Sequence, residues 1–575
     1  MEHFSVNPPT NYNNVKIKLT EPNEVTFLKI EMDKWGVYKF YEDRFLMFGF
    51  NRLAINGYKE DTSDQPICMN DCTLICNGEI YNWKELHKVI NIDNTTGSDC
   101  EIIIRMYKLY GMEYTLTILD GVYAFVLYDH SKEKIFIARD AFGIRPLFYS
   151  KQKDTLIFSS EMKQIEEYSK DKPHQNIQFY PGTFSEYNWI SNGYWYGGGG
   201  YWNLNYNKEF FNTNISVNKT IKNDNMACRL IRSSLERAVA KRVKNTDRPV
   251  ACLLSGGLDS SLITALVRKH YGINELHTWS IGLKGSDDLK HAKIVADHLK
   301  TIHHEICLSE QQLLNAIETV IYDIESYDTT TVRASVPNWL ICKYIKEQTD
   351  SKVIFNGDGS DELTGGYMYF YNCPDMIEFD KECKSLLQNI HFFDVLRSDR
   401  SISSHGLEPR TPFLDREFVE CYLSIPIYIR NYFFKQPKNH SVKEKFLLRK
   451  AFYSTNDKLL PDSILWRTKE AFSDGVSKVT NSWHHILQNH IKKHFDELLP
   501  GKEPHQIINN LIQLNKIEHN IPTTLEQLYY RLIFEKHYPN QGHTIPKFWM
   551  PKYTDATDAS ARELKVYKDN LKKEE

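Results

Sequence analysis

Residues 250–261 read Val-Ala-Cys-Leu-Leu-Ser-Gly-Gly-Leu-Asp-Ser-Ser, an apolar run that passes into a glycine-rich turn. The apolar run, residues 250–254, predicts a buried β-strand, and the pattern of residues 260–270 predicts a helix after the turn. The two glycines let backbone N–H groups approach an anion, Ser255 and Ser260 add hydroxyl donors, and the helix N-terminus favours negative charge. The segment therefore predicts a strand–turn–helix unit that binds a polyphosphate.

The acidic residue of this turn is Asp259, and no lysine follows the second glycine, so the turn differs from a Walker A loop. A carboxylate near phosphates suits a Mg²⁺ ion bridged to the leaving group. The order Ser-Gly-Gly-x-Asp-Ser-Ser resembles the pyrophosphate loop of the N-type ATP pyrophosphatases, which split ATP into AMP and pyrophosphate. The alternative is a Ser/Gly-rich helix cap without a ligand, whereas the resemblance implies that a second substrate is adenylated.

Helices and strands alternate from residue 226 onward. This rhythm predicts an α/β fold with a parallel sheet that binds its ligand at the carboxyl ends of the strands. The predicted helices cover 226–243, 260–270 and 287–299, and the predicted strands cover 249–254, 276–282, 302–307 and 353–355. Beyond residue 380 the pattern is mainly helical.

The first third of the chain has a different pattern, with short apolar-rich strands and one clear helix. The helix is predicted over residues 99–110 and ends at Gly111, a suitable C-terminal cap. Such a pattern favours stacked antiparallel sheets. The predicted strands cover 45–55, 74–76, 123–128, 134–138 and 156–159. Residues 190–222, with four consecutive glycines at 197–200, have no period and predict a linker or surface loop. We therefore expect two domains, residues 1–205 and 206–575.

Composition narrows the class of protein. The net charge of −3 over 575 residues gives no support to nucleic-acid binding, and no apolar run approaches the roughly 18 residues of a membrane span. Residues 1–14 lack the features of a secretory signal. The eleven cysteines, an odd number in a long chain, favour reduced thiols and a cytoplasmic location. Cys68, Cys72 and Cys76 recur every four residues, but packing is favoured over a metal site because no further ligand lies at suitable spacing.

Further segments extend the resemblance beyond the turn. In this order they are similar to the glutamine-dependent asparagine synthetases, more to the eukaryotic form than to the bacterial one, over about residues 44–565. The segments are NGEIYN (77–82), GSDCE (97–101), ARD (138–140), FGIRPL (142–147), YDTTTVRAS (327–335), GDGSDE (357–362), PFLD (412–415), WRTKEAFSDG (466–475) and FWMPK (548–552).

This resemblance implies a fold and a reaction. The first domain is expected to be an Ntn-type glutamine amidotransferase, an αββα sandwich of antiparallel sheets. The second is expected to be an ATP-pyrophosphatase domain, a parallel α/β sheet with a helical C-terminal part. The implied reaction converts aspartate to β-aspartyl-AMP with release of pyrophosphate, after which ammonia displaces AMP to give asparagine. The implied partners are the small molecules aspartate, ATP and glutamine or ammonia, with Mg²⁺ as the metal, and a homodimer is left open.

The same resemblance assigns roles to residues of the second domain. Asp259 and Asp361 are expected to ligate Mg²⁺, because two carboxylates at two strand ends anchor a cation better than one. Asp358 stands where the family carries Glu, and this shorter acid is expected to act as a base toward the attacking ammonia. The residues expected to bind ATP or pyrophosphate are Leu254, Ser255, Gly256, Gly257, Asp259, Ser260, Ile281, Gly357 and Asp361. Those expected to bind aspartate or the intermediate are Thr330, Thr331 and Arg333, and those expected to be catalytic are Asp358, Arg333 and Lys469.

The first domain departs from the family at its nucleophile. The family uses a cysteine exposed as residue one and activated by its own α-amino group, whereas this chain begins Met1-Glu2 and has its earliest cysteine at Cys68. If glutamine is bound, the resemblance implies that Arg52, Asn77, Gly78, Glu79 and Asp99 bind it. Three explanations stay open: use of free ammonia with the first domain kept as a scaffold, an error or frameshift in residues 1–35, and a reaction that no longer uses ammonia.

The leading hypothesis is an aspartate–ammonia ligase that uses free ammonia in preference to glutamine. A β-lactam synthetase-like cyclase would share both domains and adenylate a carboxylate, but the Thr-Thr-Val-Arg string at 330–333 favours asparagine synthesis. A catalytically silent binding protein is the alternative from another class. The intact turn, together with Asp361, Arg333 and Lys469, counts against it.

Overall fold

Two kinds of sheet divide the chain in the computed structural model, one antiparallel and one parallel. The structure describes residues 28–32, 36–43, 46–59, 61–152, 155–169, 173–191, 200–272, 275–431, 443–454, 458–469, 475–477, 482–556 and 558–560. Within these residues no helix has both the length and the apolar content that crossing a bilayer requires.

The antiparallel part contains twelve described strands and four described helices. The strands are β1 Leu28–Met32, β2 Gly36–Asp43, β3 Leu46–Asn51, β4 Ile67–Met69, β5 Cys72–Ile80, β6 Gly121–Asp129, β7 Lys134–Arg139, β8 Phe148–Gln152, β9 Thr155–Ser159, β10 Asn176–Gln178, β11 Thr183–Ser191 and β12 Gly200–Glu209. The helices are α1 Trp83–Ile90, α2 Glu101–Tyr110, α3 Met112–Ile118 and α4 Met162–Ser169. As predicted, α2 ends at Gly111, whose φ of 80° suits a residue without a β-carbon.

These strands form three antiparallel sheets that pack in layers. The largest has the order β12-β11-β7-β6-β5-β4, and two smaller sheets have the orders β1-β2-β3 and β10-β8-β9. Side chains of β5 and β6 alternate between two apolar clusters, one shared with α2 and α3 and the other shared with β3, β8 and β9. Helices therefore cover one face of the large sheet and the smaller sheets cover the other, which confirms the predicted stack of antiparallel sheets.

The aperiodic segment after residue 190 is more ordered than the sequence suggested. Residues 200–209 form β12, the edge strand of the large sheet, which pairs with β11 from Ser191↔Gly200 to Thr183↔Glu209. The prediction of a linker is therefore wrong for residues 200–209, and a boundary near residue 205 would cut this strand. Aromatic side chains explain the pairing, because Trp202 packs edge-on against Trp189 at 5.3 Å and against Tyr128 at 5.9 Å. Residues 192–199 lie outside the described part.

The parallel sheet has the order β15-β14-β13-β16-β17. Every neighbouring pair is parallel, as the alternation of helices and strands predicted. The last strand lay outside the prediction, because its three residues, Glu-Pro-Arg, have no apolar pattern. The bounds are β13 Val250–Leu253, β14 His277–Leu283, β15 Ile302–Leu308, β16 Val353–Phe355 and β17 Glu408–Arg410.

Helices cover both faces of the parallel sheet and continue beyond it. Val250 and Cys252 of β13 face an apolar cluster shared with α5 and α6, whereas Ala251 faces a cluster shared with α8 and α9. The helices in this part are α5 Asp224–Lys244, α6 Leu258–Tyr271, α7 Asp287–Leu299, α8 Glu310–Ile324, α9 Thr329–Gln348, α10 Ser360–Thr364, α11 Met376–Asn389, α12 Asp394–Ser403, α13 Arg416–Ser424, α14 Ile427–Arg430, α15 Phe446–Phe452, α16 Asp462–Leu465, α17 Trp483–Leu498, α18 Pro504–Leu514 and α19 Leu525–His537. The second part is thus an α/β sheet with a helical C-terminal part, as predicted.

Cys68, Cys72 and Cys76, which are spaced four residues apart, do not gather around a common point as metal ligands would. Cys72 and Cys76 are buried on β5 within the apolar cluster under α2, while Cys68 is exposed on the neighbouring β4. Alternation along the strands therefore explains their positions. No disulfide joins any of the eleven cysteines, all of which lie in the described residues.

Candidate active site

A cavity of about 190 Å³ opens at the carboxyl ends of β13, β14 and β16. This is the edge at which parallel sheets bind ligands, and it is the edge predicted from the sequence. Of the residues predicted for the ligase site, the cavity brings together Leu254, Ser255, Gly257, Asp259, Ser260, Ile281, Thr330, Gly357, Asp358, Asp361 and Lys469. Gly256, Thr331 and Arg333 are not among its lining residues.

The glycine-rich turn leads from β13 into α6 and leaves the N-terminus of that helix uncapped. Gly257 is the N-cap residue and provides no side chain, so the first N–H groups of α6 face the cavity without a capping oxygen. The hydroxyls of Ser255 and Ser260 lie 3.0 Å apart, and the Ser260 hydroxyl also accepts a hydrogen bond from the Ser255 N–H. Gly256 has a φ of 72°, and a β-carbon there would lie 2.4 Å from the Ala292 nitrogen. Gly256 thus serves the close approach of α7, while the serines serve the cavity.

The loop after β16 packs directly on this turn. A β-carbon at Gly357 would lie 2.8 Å from the Ser260 nitrogen, so only glycine fits between the two loops. The Ser360 hydroxyl donates to the Asp259 carboxylate at 2.9 Å. The contact holds Asp259 and Asp361, which follow different strands, close to one another.

Two lysines neutralise these carboxylates. The Lys445 ammonium forms ion pairs with Asp259 and, at 2.7 Å, with Asp361, and the Lys469 ammonium lies 2.7 Å from the second oxygen of Asp361. Burial alone would raise the pKa of Asp361, but the two ammonium groups lower it below its ordinary value. Burial likewise opposes the charge on Lys469, whose pKa is nevertheless raised by Asp361 and Asp259. The ion pairs therefore hold two ammonium groups in fixed positions beside a helix N-terminus, an arrangement that suits a polyphosphate.

A second group of charges lines the cavity around Asp358. The Arg397 guanidinium lies 2.8 Å from Asp358 and 3.0 Å from Asp394, and the Tyr367 hydroxyl donates to Glu362. Burial, reinforced by the neighbouring Asp394, raises the pKa of Glu362 well above its ordinary value. Burial also raises the pKa of Asp358, against the opposing effect of Arg397. One guanidinium facing three carboxylates leaves this end acidic, so it favours a cationic group.

Helix α9 places only one of its three predicted residues at the cavity. The Thr330 hydroxyl is buried and has no hydrogen-bond partner. The Thr331 hydroxyl donates to Asp328 at 2.8 Å, and Asp328 in turn caps the helix by accepting from the Thr331 N–H. Thr331 therefore stabilises the start of α9, whereas the unpartnered Thr330 hydroxyl is available to a ligand.

Arg333 points away from the cavity. Its guanidinium is bonded to Glu526 at 2.7 Å and to Asp558 at 2.8 and 2.6 Å, and its pKa is raised because these carboxylates outweigh the cost of burial. Four of the five guanidinium N–H groups are therefore used by these two carboxylates. In this arrangement Arg333 ties α9 to α19 and to the C-terminal segment, and its expected contact with the substrate carboxylate stays a prediction. His484 joins the same two acids, but because Arg333 pairs with both, the group is an ion-pair network.

Several cavity residues lie outside the motifs that the sequence singled out. Lys445, Arg397, Asp394 and Asn338 come from helices and loops with no recognisable spacing. Glu362 and Arg467 do lie within quoted strings, next to Asp361 and Lys469, and their charge was the available signal. Arg467 is paired with Asp288 at 3.0 Å.

The residues predicted to bind glutamine gather around one end of β5. Arg52 donates to Asp64 at 3.0 Å and to the Asn56 carbonyl at 2.8 Å. The Asp99 carboxylate accepts from the Ile80 N–H at 2.6 Å, and burial raises its pKa to about 6. The Asn77 amide reaches Ser160 at 3.3 Å. A β-carbon at Gly78 would lie 2.2 Å from a backbone oxygen of β6, so the strand requires glycine there.

Glu79 connects the two parts of the chain instead. Its carboxylate accepts from Asn56 at 2.5 Å and Asn245 at 2.9 Å, and lies 3.4 Å from the Arg410 guanidinium of β17. Burial, together with Asp99, raises its pKa well above the ordinary value. Glu79 therefore bonds the antiparallel part to the parallel sheet.

Family descriptions match both parts of the chain. The description "Asparagine synthase" matches residues 230–381 and 377–554, and "Glutamine amidotransferase domain" matches residues 32–185. The asparagine synthetase [glutamine-hydrolyzing] of Gallus gallus is 40% identical over 543 residues, which is 91% of this chain and 92% of that protein. The chain belongs to the asparagine synthase family. The human asparagine synthetase [glutamine-hydrolyzing] is also 40% identical, over 91% of this chain and 92% of its own length.

Membership confirms the predicted family and the prediction of an ATP-dependent ligase. A glutamine PRPP amidotransferase structure from B. subtilis, complexed with ADP and GMP, covers 46% of this chain and 77% of its own. At 14% identity and a TM-score of 0.25, that likeness carries no argument.

Proposed function

We propose that the chain makes asparagine from aspartate and ATP through a β-aspartyl-AMP intermediate, releasing pyrophosphate and AMP, and that free ammonia is its preferred nitrogen donor. The observation that carries this proposal is the single cavity that joins an uncapped helix N-terminus, two lysine-paired aspartates and an acidic group around Asp358. The first two features suit the triphosphate of ATP, and the third suits an amino acid.

Activation of aspartate is the first step. The N–H groups of α6, with Ser255 and Ser260, would hold the β- and γ-phosphates, while Lys445 and Lys469 would stabilise the charge that develops on pyrophosphate. The β-carboxylate of aspartate attacks the α-phosphorus, a P–O bond to that carboxylate forms, and the bond to pyrophosphate breaks. Asp259 and Asp361 are the residues that would hold Mg²⁺. Their shared contact with the Lys445 ammonium supports this, since a cation already lies between them. Bound there, Mg²⁺ would supply charge neutralisation to the leaving group.

Aspartate itself would lie between α9 and the acidic group. The unpartnered Thr330 hydroxyl is suited to donate to a substrate carboxylate, a role that the contacts of Arg333 do not support. Glu362 and Asp394 would receive the α-ammonium group, which adds the positive charge that this end lacks. These charges favour an amino acid over a neutral substrate.

Ammonia then attacks the activated carbonyl carbon, AMP leaves, and a proton must be taken from the nitrogen. Asp358 is the proposed acceptor of that proton, since its pKa is raised by burial and it lies at the cavity. Its contact with Arg397 fixes its position. The Asp358 side chain is shorter than glutamate by one methylene. The proposal therefore requires that the orientation fixed by Arg397 brings its carboxylate within reach of the ammonia nitrogen.

Free ammonia is favoured over glutamine by the described thiols. Cys100 follows Asp99, one of the residues predicted to bind glutamine; its sulfur lies 3.9 Å from the Gly78 carbonyl, and it is buried. A hydrogen bond with Cys76, reinforced by burial, raises the pKa of the Cys100 thiol, whereas a nucleophilic cysteine needs a lowered pKa. The absence of disulfides among the eleven described cysteines also supports a reducing compartment such as the cytosol. We place the division between the two domains just after Glu209, a few residues beyond the expected residue 205, so that β12 stays whole.

The test is a product assay with the full chain. Aspartate, Mg-ATP and ammonium chloride should yield pyrophosphate and asparagine in equal amounts. Replacing ammonium by glutamine should reduce asparagine strongly and release little glutamate. Silence with ammonium would overturn the proposed reaction, and equal or faster synthesis with glutamine would overturn the preferred donor.

A further inference from the structure

Helix α9 and the carboxyl end of β14 both line the cavity. Four residues of α9 do so at helical spacing, namely Thr330, Ala334, Asn338 and Ile341. Thr330 and Asn338 are eight residues apart, which is about 12 Å along a helix. Asn338 therefore lines the cavity about two helical turns from Thr330, the residue proposed to contact aspartate.

Apolar side chains make up part of the cavity lining. They are Leu253, Trp279, Ile281, Ala334 and Ile341. Trp279 is fully buried, and its indole ring stacks on His304 with the ring centres 3.9 Å apart and the planes inclined by 8°, which fixes the orientation of the ring. An apolar lining that includes a fixed aromatic ring suits a planar ring system.

Asn338 adds a carboxamide to this apolar lining. The residue is 7% exposed, and no hydrogen bond joins its side chain to another described residue. Its amide atoms are not among the fully buried polar atoms that lack a partner, so they are accessible from the cavity. A carboxamide that faces a ligand cavity without a protein partner is suited to bond the ligand.

The start of α9 is held so that this amide keeps its position. Pro337 lies inside the helix directly before Asn338, and it cannot donate to the Arg333 carbonyl one turn earlier. The Trp483 indole N–H donates to that carbonyl instead, at 3.2 Å. The helix therefore continues through Pro337 while the Arg333 carbonyl keeps a hydrogen bond, and Asn338 stays on the face of α9 that lines the cavity.

We propose that Asn338 reads the base of the nucleotide, and that it selects a base with an amino group beside a ring nitrogen, as in adenine. A carboxamide presents one acceptor and one donor side by side, which matches the amino hydrogen and the neighbouring ring nitrogen of adenine. The charged residues of the cavity would take the triphosphate, so the apolar part of the lining remains for the base. This inference rests on the proposed use of ATP, and it makes Asn338 a residue that determines nucleotide specificity.

The test compares Mg-ATP with the Mg complex of purine riboside triphosphate, which is ATP without its amino group. Calorimetric binding to the full chain, in the absence of aspartate and ammonia, should favour ATP about tenfold, the value of one hydrogen bond of ~1.4 kcal/mol. Asn338→Leu, which has nearly the same shape, should bind the two nucleotides equally. Asn315→Leu makes the same chemical change at an exposed residue of α8 and should keep the tenfold preference.

Two results would overturn the inference: equal binding of both nucleotides by the unchanged protein, which needs no variant to fold, or a full preference for ATP in Asn338→Leu. Because aspartate and ammonia are absent, the outcome is independent of asparagine synthesis. If the protein prefers ATP through Asn338 but makes no asparagine, the proposed function is wrong, whereas base recognition by Asn338 is still supported.

Discussion

The neighbouring residues Thr330 and Thr331 provide a matched pair of perturbations, because both were expected to bind aspartate and the structure separates them. Replacing either by valine removes one hydroxyl at nearly constant volume. In Thr330→Val the lost hydroxyl has no partner in the free protein, so the stability of the fold should change little. In Thr331→Val the lost hydroxyl is bonded to Asp328 at 2.8 Å, so the start of α9 should be weakened by about 1 kcal/mol.

Activity should respond in the opposite order. A hydrogen bond to a charged carboxylate is worth about 1.5–3 kcal/mol, so Thr330→Val should lower kcat/KM for aspartate by roughly 12- to 140-fold. Thr331→Val should leave kcat/KM for aspartate within about threefold of the unchanged protein, since Asp328 still accepts from two backbone N–H groups. The assay is pyrophosphate release at varied aspartate and saturating ammonium, with the thermal midpoint of each variant measured alongside. Equal losses of kcat/KM in the two variants, or the larger loss in Thr331→Val, would refute the separation.

Three further predictions follow from other contacts. Arg333→Met should lower the thermal midpoint strongly, because it leaves the buried Glu526 carboxylate without its guanidinium partner, at a cost of about 3–5 kcal/mol. The double change Arg333→Met with Glu526→Gln should restore stability, and an unaltered midpoint in Arg333→Met alone would contradict the prediction. Asp358→Asn should keep aspartate-dependent pyrophosphate release in a single turnover but reduce asparagine formation by about 10²–10⁴-fold, whereas Asp358→Glu should retain asparagine formation. Equal loss of both products in Asp358→Asn would show that this acid serves activation rather than proton transfer. Lys469→Met should slow pyrophosphate release by about 10²–10³-fold even at saturating Mg²⁺, and removal of Mg²⁺ by a chelator should abolish pyrophosphate release in the unchanged protein. Normal rates in either experiment would contradict the proposal that Lys469 and Mg²⁺ stabilise the negative charge of the phosphates.

Local patterns made much of the fold predictable. The apolar run of β13, the turn at Gly257 and the spacing of α6 are adjacent in sequence, so their geometry follows from short-range sterics and hydrogen bonding. The strand β12 was missed because what orders it is the packing of Trp202 on residues of two other strands, a long-range contact that composition does not reveal. The strand β17 was missed because three residues are too few for a period.

The site was predictable where its chemistry lies in strings along the chain. Asp259, Asp361 and Lys469 were found in this way, and all three line the cavity. Arg333 shows a limit, because its bonds to Glu526 and Asp558 join segments that are far apart in the chain, and only the fold brings these carboxylates to its guanidinium. Lys445 shows the converse. It bridges two predicted residues but has no sequence signal, since its role depends on a distance between distant segments.

The route by which aspartate is activated has one direct test, which follows an oxygen atom. Aspartate labelled with ¹⁸O in its β-carboxylate is incubated with the protein, Mg-ATP and ammonium chloride, and the AMP formed is examined by mass spectrometry. Attack of the carboxylate on the α-phosphorus, followed by displacement of AMP by ammonia, transfers one ¹⁸O atom to each AMP. We predict one labelled oxygen per AMP and none in pyrophosphate, and label in inorganic phosphate or unlabelled AMP would contradict the acyl-adenylate route.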